Sequence, residues 1–205
     1  MNILLLGANG RTGRELLARA LSAGHTVTGL VRAEDRLADV SHRRLHVRVG
    51  SPCDPSVLVP LLPGQDVVVS LLGPRLPSKM ASAIYPESAA AMVDALQASG
   101  VERLLVTSSA LLFPPDKLSA RVLRRLVPHI VDGARRMEER IRRSSLDWTI
   151  ARTGFLNNDR ATSHRLGVGT LPEGAGSVSR AAVSSFLLQA AEQGSHSQQI
   201  VGLCG

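Results

Sequence analysis

The sequence predicts an α/β fold built on a mainly parallel β-sheet. Short apolar runs that end in glycine or in a turn alternate with amphipathic stretches along the 205 residues. The first run, Asn2–Leu6, is continuously apolar, which is typical of a strand buried on both faces of a parallel sheet. Residues 11–23 then carry an apolar stripe at helical spacing. Strands that alternate with helices in this way favour a parallel sheet with crossover helices.

The same local signals predict the remaining elements. Further strands are expected at 26–31, 43–49, 67–72, 103–107, 147–151 and 199–203, of which 43–49 alternates in polarity and should lie near an edge. Helices are expected at 54–62, 83–99, 119–145 (broken before Pro128) and 179–193. Right-handed crossovers then favour a doubly wound, Rossmann-type sheet with helices on both faces. Because no linker divides the chain, we expect one domain over 1–205, with a substrate pocket built from loops 74–83, 110–120 and 154–178.

The composition argues against several classes of partner. The net charge is +7, but almost all the positive charge is arginine and only 2% of residues are aromatic, so a nucleic-acid platform is not expected. No run approaches the roughly 20 apolar residues of a membrane helix, and the start lacks the pattern of a signal peptide. Cys53 and Cys204 have no metal-ligand spacing. We expect a cytoplasmic protein without a metal, acting as a monomer or homodimer on a small molecule.

A glycine-rich loop between the first strand and the first helix predicts phosphate binding. Gly7 permits a tight turn, Gly10 lets the backbone approach a pyrophosphate, and Gly13 lets the helix pack closely. The helix N-terminus then offers free N–H groups to the phosphates, and Asn9 and Thr12 add side-chain donors. The alternative is a glycine-rich turn that binds nothing.

Residues after the second predicted strand indicate which dinucleotide is bound. A carboxylate that would hold the ribose 2′-hydroxyl of NAD is absent there, and Arg32 takes its place, followed by Arg36. A guanidinium pairs well with a 2′-phosphate, and Arg11 could add a contact. The pattern predicts NADPH, with NAD less favoured; alternatively Arg32 is a surface charge and both cofactors bind.

The usual proton donor of short-chain dehydrogenases, a Tyr-x-x-x-Lys pair, is missing. The only tyrosine is Tyr85, and Ala89 stands where the lysine would be. At the end of the fifth predicted strand, Ser109 could orient a substrate carbonyl or ring nitrogen, so it is the candidate catalytic residue; alternatively the hydroxyls there only cap a loop.

Three further segments carry expectations. Gly154 and Phe155 should lie beside the nicotinamide, with Phe155 joining residues 111–113 in an apolar pocket wall, unless these residues are ordinary core. The segment 157–177 could form a substrate lid. Glu138 and Glu139 are expected on an exposed helix face.

Together these residues resemble the atypical short-chain dehydrogenase/reductases, with the greatest likeness to flavin reductase/biliverdin-IXβ reductase and a more distant one to NmrA-like proteins. The shared motifs are Gly7 to Gly13, Leu30-Val31-Arg32 with Arg36, Gly64-Gln65-Asp66 leading to Leu71-Leu72-Gly73, Thr107 to Ala110 with the following Leu-Leu-Phe-Pro-Pro, and Trp148 to Leu156.

The resemblance implies roles for these motifs. The glycine loop would hold the pyrophosphate and the arginines the 2′-phosphate, while Leu72, Gly73, Thr107 and Ser108 would line the crevice. Ser109 would lie by the nicotinamide and substrate. Such reductases need no strong acid, because hydride moves to a flat conjugated acceptor. Two positions depart from the pattern: Ser51-Pro52 replaces an acidic residue after the third strand, and Phe155 replaces a histidine.

These observations predict an NADPH-dependent oxidoreductase that reduces a planar conjugated molecule such as a flavin, a quinone or an aromatic intermediate. Two alternatives remain open. One is a non-enzymatic NADP(H) sensor that regulates a partner, and the other is an isomerase or cyclase of secondary metabolism on the same fold.

Overall fold

The computed structural model describes residues 1–115 and 118–205, so part of the predicted pocket loop 110–120 lies outside the described residues. These described residues contain ten strands: β1 (Asn2–Leu6), β2 (Thr26–Val31), β3 (Leu45–Val49), β4 (Val67–Ser70), β5 (Arg103–Ser109), β6 (Asp147–Thr153), β7 (Phe155–Asn157), β8 (Arg165–Val168), β9 (Ser177–Ser179) and β10 (Gln199–Cys204). The helices are α1 (Arg11–Ser22), α2 (Pro55–Leu58), α3 (Lys79–Ser82), α4 (Ile84–Ser99), α5 (Leu118–Leu126), α6 (Pro128–Arg142) and α7 (Arg180–Gln193).

Eight of these strands form one sheet in the order β3-β2-β1-β4-β5-β6-β10-β8. The first seven are parallel, and β8 is antiparallel to β10 at the edge. The order reverses direction at β1, which gives a crevice between the carboxyl ends of β1 and β4. The predicted doubly wound α/β fold is confirmed.

Alternate residues of β1 point into two separate cores. Ile3 and Leu5 pack with residues of α1 and α7 on one face of the sheet. Leu4 and Leu6 pack with residues of α4 and α6 on the other face. All four side chains are fully buried, as expected for a strand in the middle of a parallel sheet.

Most predicted elements are present, and their ends differ by a few residues. β5 and β6 each run two residues further than predicted, so Ser109 and Thr153 are strand residues. The predicted strand 67–72 ends at Ser70. The expected break before Pro128 separates α5 from α6.

The segment 157–177 is not a simple lid. It contains β8, which pairs with β10 at four positions and forms one edge of the main sheet. The ends of the segment belong to a second, two-stranded parallel sheet formed by β7 and β9. A Cβ added to Gly202 of β10 would lie 2.2 Å from the carbonyl oxygen of Thr170, so this segment is packed against the sheet.

Among the described residues, none of the helices combines the length and the apolar character that a membrane span requires.

Candidate functional site

The loop between β1 and α1 is shaped by glycines at both ends. Gly7 has a φ of +82°, and its carbonyl accepts the N–H of Gly10 at 2.8 Å. A Cβ on Gly7 would stand 3.0 Å from the carbonyl oxygen of Leu71, which follows β4. A Cβ on Gly13 would stand 2.1 Å from the carbonyl oxygen of Gly7. The first turn of α1 therefore lies directly on the loop, as the glycine spacing predicts.

The N-terminus of α1 is left uncapped. Gly10 precedes the helix in an extended conformation and provides no side-chain cap, and the first turn has no acidic residue. Within residues 1–115 and 118–205, the backbone N–H groups of Arg11, Thr12 and Gly13 have no hydrogen-bond acceptor. Free N–H groups and the positive end of the helix dipole form an anion-binding cradle.

One arginine that the sequence analysis did not identify, Arg14, holds the residues around this cradle in place. Arg14 donates from Nε and Nη2 to the side-chain oxygen of Asn9 at 3.1 and 2.9 Å. It also donates to the carbonyl of Arg36 at 2.7 Å and to the carboxylate of Asp39 at 2.6 and 3.0 Å. The Arg14 hydrogen bond holds the pKa of Asp39 below its ordinary value. Because the oxygen of Asn9 is occupied, its amide NH₂ remains the group that can donate to a ligand.

The predicted 2′-phosphate arginines lie beside this brace. Arg32 is exposed directly after β2, and Arg36 is in a short 3₁₀ turn, Glu34–Leu37, whose position Arg14 fixes through the Arg36 carbonyl. Arg11 is exposed at the first position of α1. Arg180 begins α7 nearby, and burial together with the charge of Arg11 lowers its pKa. Arg11 and Arg180 thus bring two positive charges to the uncapped helix end.

The other side of the crevice is formed by the segments after β4 and at the end of β5. Leu72 and Gly73 follow the Leu71 carbonyl that contacts Gly7, so they lie next to the glycine loop. Thr107 and Ser109 are half-buried at the carboxyl end of β5. The hydroxyl of Ser109 accepts the N–H of Leu111 at 3.3 Å.

Ser108 is instead committed to a buried ionic cluster. Its hydroxyl donates to Oε1 of Glu138 at 2.6 Å, and only 4% of the residue is exposed. Arg152, on β6, donates to the same carboxylate from Nε at 3.0 Å and from Nη2 at 2.7 Å. The Arg152 guanidinium also lies over the ring of Phe113, 4.5 Å from its centroid. One carboxylate thus joins α6 to the carboxyl ends of β5 and β6.

The expectation that Glu138 is exposed is wrong, whereas Glu139 is exposed as expected. Glu138 is 3% exposed because it shares the inward face of α6 with Val131, Ala134 and Ile141. Residues 131, 134, 138 and 141 recur at helical spacing, and this periodicity is the signal that could have revealed the burial. A carboxylate is tolerated there because three charge-assisted hydrogen bonds satisfy it.

Tyr85 lies close to this cluster, on the first turn of α4. A Cβ added to Gly73 would be 3.5 Å from its hydroxyl, which places the phenol beside the crevice. Burial, and to a lesser extent the Glu138 carboxylate, raises the pKa of Tyr85 to about 12. The phenol is therefore neutral at physiological pH, with no lysine beside it in sequence to lower its pKa.

The segment after β6 has a different arrangement from the predicted apolar wall. Phe113 is buried under Arg152, but Phe155 is 69% exposed on β7. Gly154 is packed tightly, since a Cβ there would be 2.7 Å from the carbonyl oxygen of Gly176. The placement of Gly154 and Phe155 beside the nicotinamide stays a prediction.

The sequence profile of NAD(P)H-binding proteins matches residues 7–194. The chain belongs to the NAD(P)H-binding family. A curated relative, the photosystem II assembly factor Ycf39 of Synechocystis sp., is 27% identical over 109 residues, which are 53% of this chain and 33% of that protein. The chain spans a third or less of the curated relatives that it matches.

Solved structures agree over the full length of the chain. A short-chain dehydrogenase/reductase of Veillonella parvula, determined in complex with NADP, is 26% identical with a TM-score of 0.76, covering 100% of this chain and 94% of that one. A Streptococcus pneumoniae protein assigned as an NADH-flavin reductase has the same fold, with a TM-score of 0.79 at 18% identity, covering 100% and 99%. The family resemblance predicted from the sequence is confirmed at the level of the NAD(P)H-binding family.

The residues present fit the cofactor of the NAD(P)H-binding family. Gly7 and Gly13 let the loop, the segment after β4 and the first turn of α1 meet backbone to backbone, and within the described residues the N–H groups of residues 11–13 remain without an acceptor for a diphosphate to bind. The loop and the start of α1 thus have the features that a nicotinamide dinucleotide requires.

Substituting Gly13→Ala should abolish tight cofactor binding. The new methyl group would overlap the Gly7 carbonyl, so either the loop or α1 must shift. The backbone N–H groups of residues 11–13 would then no longer be positioned to bind the same phosphate. We expect at least about a tenfold rise in the dissociation constant for NADPH, measured by calorimetry. The control is Gly176→Ala, where a Cβ meets nothing within 4 Å. Equal affinity of Gly13→Ala and the wild type would contradict the cradle.

Titration of the single tyrosine tests the buried environment near Glu138. The folded pKa of about 12 exceeds the ordinary value of 10.0, so the protonated phenol stabilises the folded state below pH 10. That contribution, about 2–3 kcal/mol, is lost as the pH rises from 10 to 12. Near-ultraviolet absorbance of the phenolate reports Tyr85 alone.

The control variant for this titration is Tyr85→Phe. Its unfolding free energy should fall less steeply than that of the wild type over the same alkaline range. A midpoint near 10.0 in the folded protein would show that Tyr85 is not buried beside the carboxylate.

Proposed function

We propose that this protein is an NADPH-dependent reductase that transfers hydride to a planar conjugated small molecule, such as a flavin, a quinone or an aromatic intermediate. The observation that carries the proposal is an uncapped helix start at the glycine loop, facing a crevice whose other wall offers the hydroxyl of Ser109, in a sequence without a Tyr-x-x-x-Lys pair. A site without a strong acid suits an acceptor that needs only hydride and a solvent proton.

Ser109 is proposed to position the acceptor. Its oxygen accepts the N–H of Leu111, which is the loop-capping role considered from the sequence. This bond leaves the hydroxyl proton available, so Ser109 can cap the turn and still donate to a carbonyl oxygen or ring nitrogen. Its half-buried position at the end of β5 faces the side of the sheet where ligands bind in this fold.

When bound, NADPH supplies a hydride, which is two electrons and one proton, and solvent supplies the second proton of the reduced acceptor. The protein then contributes geometry. The Glu138 carboxylate fixes the strand ends that carry Ser109 and Thr153, because it holds their neighbours Ser108 and Arg152. Holding the wall rigid lowers the entropic cost of aligning the acceptor.

Two comparisons support the redox reading. The Veillonella parvula relative was determined with NADP, and the Streptococcus pneumoniae protein that shares the fold is assigned as a flavin reductase. The preference for NADPH over NADH is part of the proposal and is supported by Arg32 and Arg36 beside the braced turn.

An anaerobic assay with NADPH and a panel of flavins and quinones tests the reaction. We expect loss of NADPH absorbance with at least one acceptor, and Ser109→Ala should lower kcat about tenfold because one donor to the acceptor is lost. The matched control is Ser99→Ala. This change removes a hydroxyl that donates to the carbonyl oxygen of Leu96 at the C-terminal end of α4, away from the crevice. Absence of turnover with every acceptor would argue strongly against a reductase.

Cofactor preference is tested with Arg32→Ala. Loss of a charge-assisted contact to the 2′-phosphate should raise the dissociation constant for NADPH at least about tenfold and leave that for NADH unchanged. Arg142→Ala, an exposed arginine at the far end of α6, is the control for the change in net charge. An equal effect on NADPH and NADH would show that Arg32 does not contact the phosphate.

A non-enzymatic NADP(H) sensor is the second candidate, and the missing catalytic pair favours it. A sensor should bind NADPH and NADP⁺ with clearly different affinities and turn over none of the acceptors. Calorimetry with both redox forms, followed by capture of partner proteins, separates the two functions.

A further inference from the structure

A groove rich in arginine lies between α5 and α6, outside the dinucleotide cradle. It encloses about 610 Å³. Among the described residues that line it, four carry guanidinium groups and one carries a carboxylate: Arg121, Arg124, Arg125, Arg135 and Asp132.

The charges of this groove are arranged as a binding surface. Arg121, Arg124 and Arg125 are three and four residues apart, so they share one face of α5. Arg135 faces them from α6. Among the described residues, none of the four arginine side chains has an ion-pair or hydrogen-bond partner. Asp132 offsets only one of these four positive charges among the described lining residues, and a bound anion would relieve the repulsion that remains.

The start of α6 strengthens the positive potential. Pro128 occupies its first position, the preceding Val127 provides no side-chain cap, and its first turn has no acidic residue. The positive end of the helix dipole therefore opens into the groove that Pro128 lines.

The topology places this groove on the cofactor side of the sheet. Helix α6 precedes β6, which is parallel to β5, so α6 begins at the carboxyl edge of the sheet. Val131, which lines the groove, is seven residues before Glu138, about 10 Å along the helix axis. Glu138 holds Ser108, the neighbour of Ser109. About two turns of α6 thus connect the groove with the cluster that holds the end of β5.

We propose that this groove binds the anionic end of the substrate, so that the acceptor is a conjugated molecule bearing a phosphate or carboxylate group on a side chain that extends from its reducible ring. This inference rests on the proposed reductase function and narrows its substrate class. Guanidinium groups suit such oxyanions because each donates paired, charge-assisted hydrogen bonds.

The test compares two flavins that share one ring system. FMN carries a terminal phosphate, and riboflavin lacks it. Binding is measured by quenching of flavin fluorescence. NADP⁺ is present at a saturating concentration, so that the flavin phosphate cannot bind in the anion-binding cradle at the start of α1. We expect FMN to bind at least about tenfold more tightly than riboflavin. Equal affinity for both flavins would overturn the proposal, even if both were reduced.

The variant for this site is the pair Arg124→Ala and Arg135→Ala, one arginine from each helix. Its affinity for FMN should fall at least about tenfold while that for riboflavin stays constant, and in turnover KM for FMN should rise with kcat unchanged. The control pair, Arg142→Ala and Arg143→Ala, removes the same charge at the exposed end of α6. Equal loss in both pairs would mean that net charge, and not the groove, attracts FMN.

Two further outcomes are informative. Selective FMN binding without any reduction would support the groove as an anion-binding site and contradict the proposed reductase function. Helix α5 also exposes Leu118, Val122 and Leu126, so vesicles of phosphatidylserine are included as a second arm. Vesicle binding that needs Arg124 and Arg135, without discrimination between the flavins, would overturn the small-molecule site in favour of a membrane surface.

Discussion

The contact between Gly13 and the carbonyl of Gly7 is the constraint on which this architecture depends. The first turn of α1 rests on the backbone of the loop at a separation that no side chain permits. This contact fixes where α1 begins, and thereby directs the N–H groups of its first turn to one point above the carboxyl end of β1. The loop in turn lies against the Leu71 carbonyl, so the segment after β4 is held at the same point.

Two polar clusters extend this arrangement on opposite sides of the crevice. Beside β2, Arg14 connects Asn9 of the loop with the turn that carries Arg36. Beside β5, Glu138 connects α6 with Ser108 and Arg152. A buried ion pair contributes little net stability compared with an apolar pair of the same volume. Its effect here is to specify the relative position of the ends of β5 and β6.

The secondary structure and the cofactor loop could be predicted because their causes are local. Continuous apolar runs such as Asn2–Leu6 and the spacing of Gly7, Gly10 and Gly13 need no information from the rest of the chain. Strand β8 could not be found in this way. Its burial is slight and it is held by backbone pairing with β10, which lies more than thirty residues further along the chain.

The ionic cluster illustrates the same limit at the site. Glu138 lies 30 residues from Ser108 and 14 from Arg152, and the three meet because β5 pairs with β6 and α6 packs against them. Read as part of the charged run 135–143, Glu138 is indistinguishable from its exposed neighbour Glu139. The arginine groove has the same origin, because its members belong to two helices whose packing the sequence pattern does not state.

The most direct test of the central claim is to map the backbone amides that respond to the cofactor. Addition of NADP⁺ to isotope-labelled protein should shift the amide resonances of Arg11, Thr12 and Gly13 most strongly, since their N–H groups receive the diphosphate. Smaller changes should surround them and extend to the residues after β2. Unchanged resonances at these three amides, with the largest shifts elsewhere in the protein, would contradict the account.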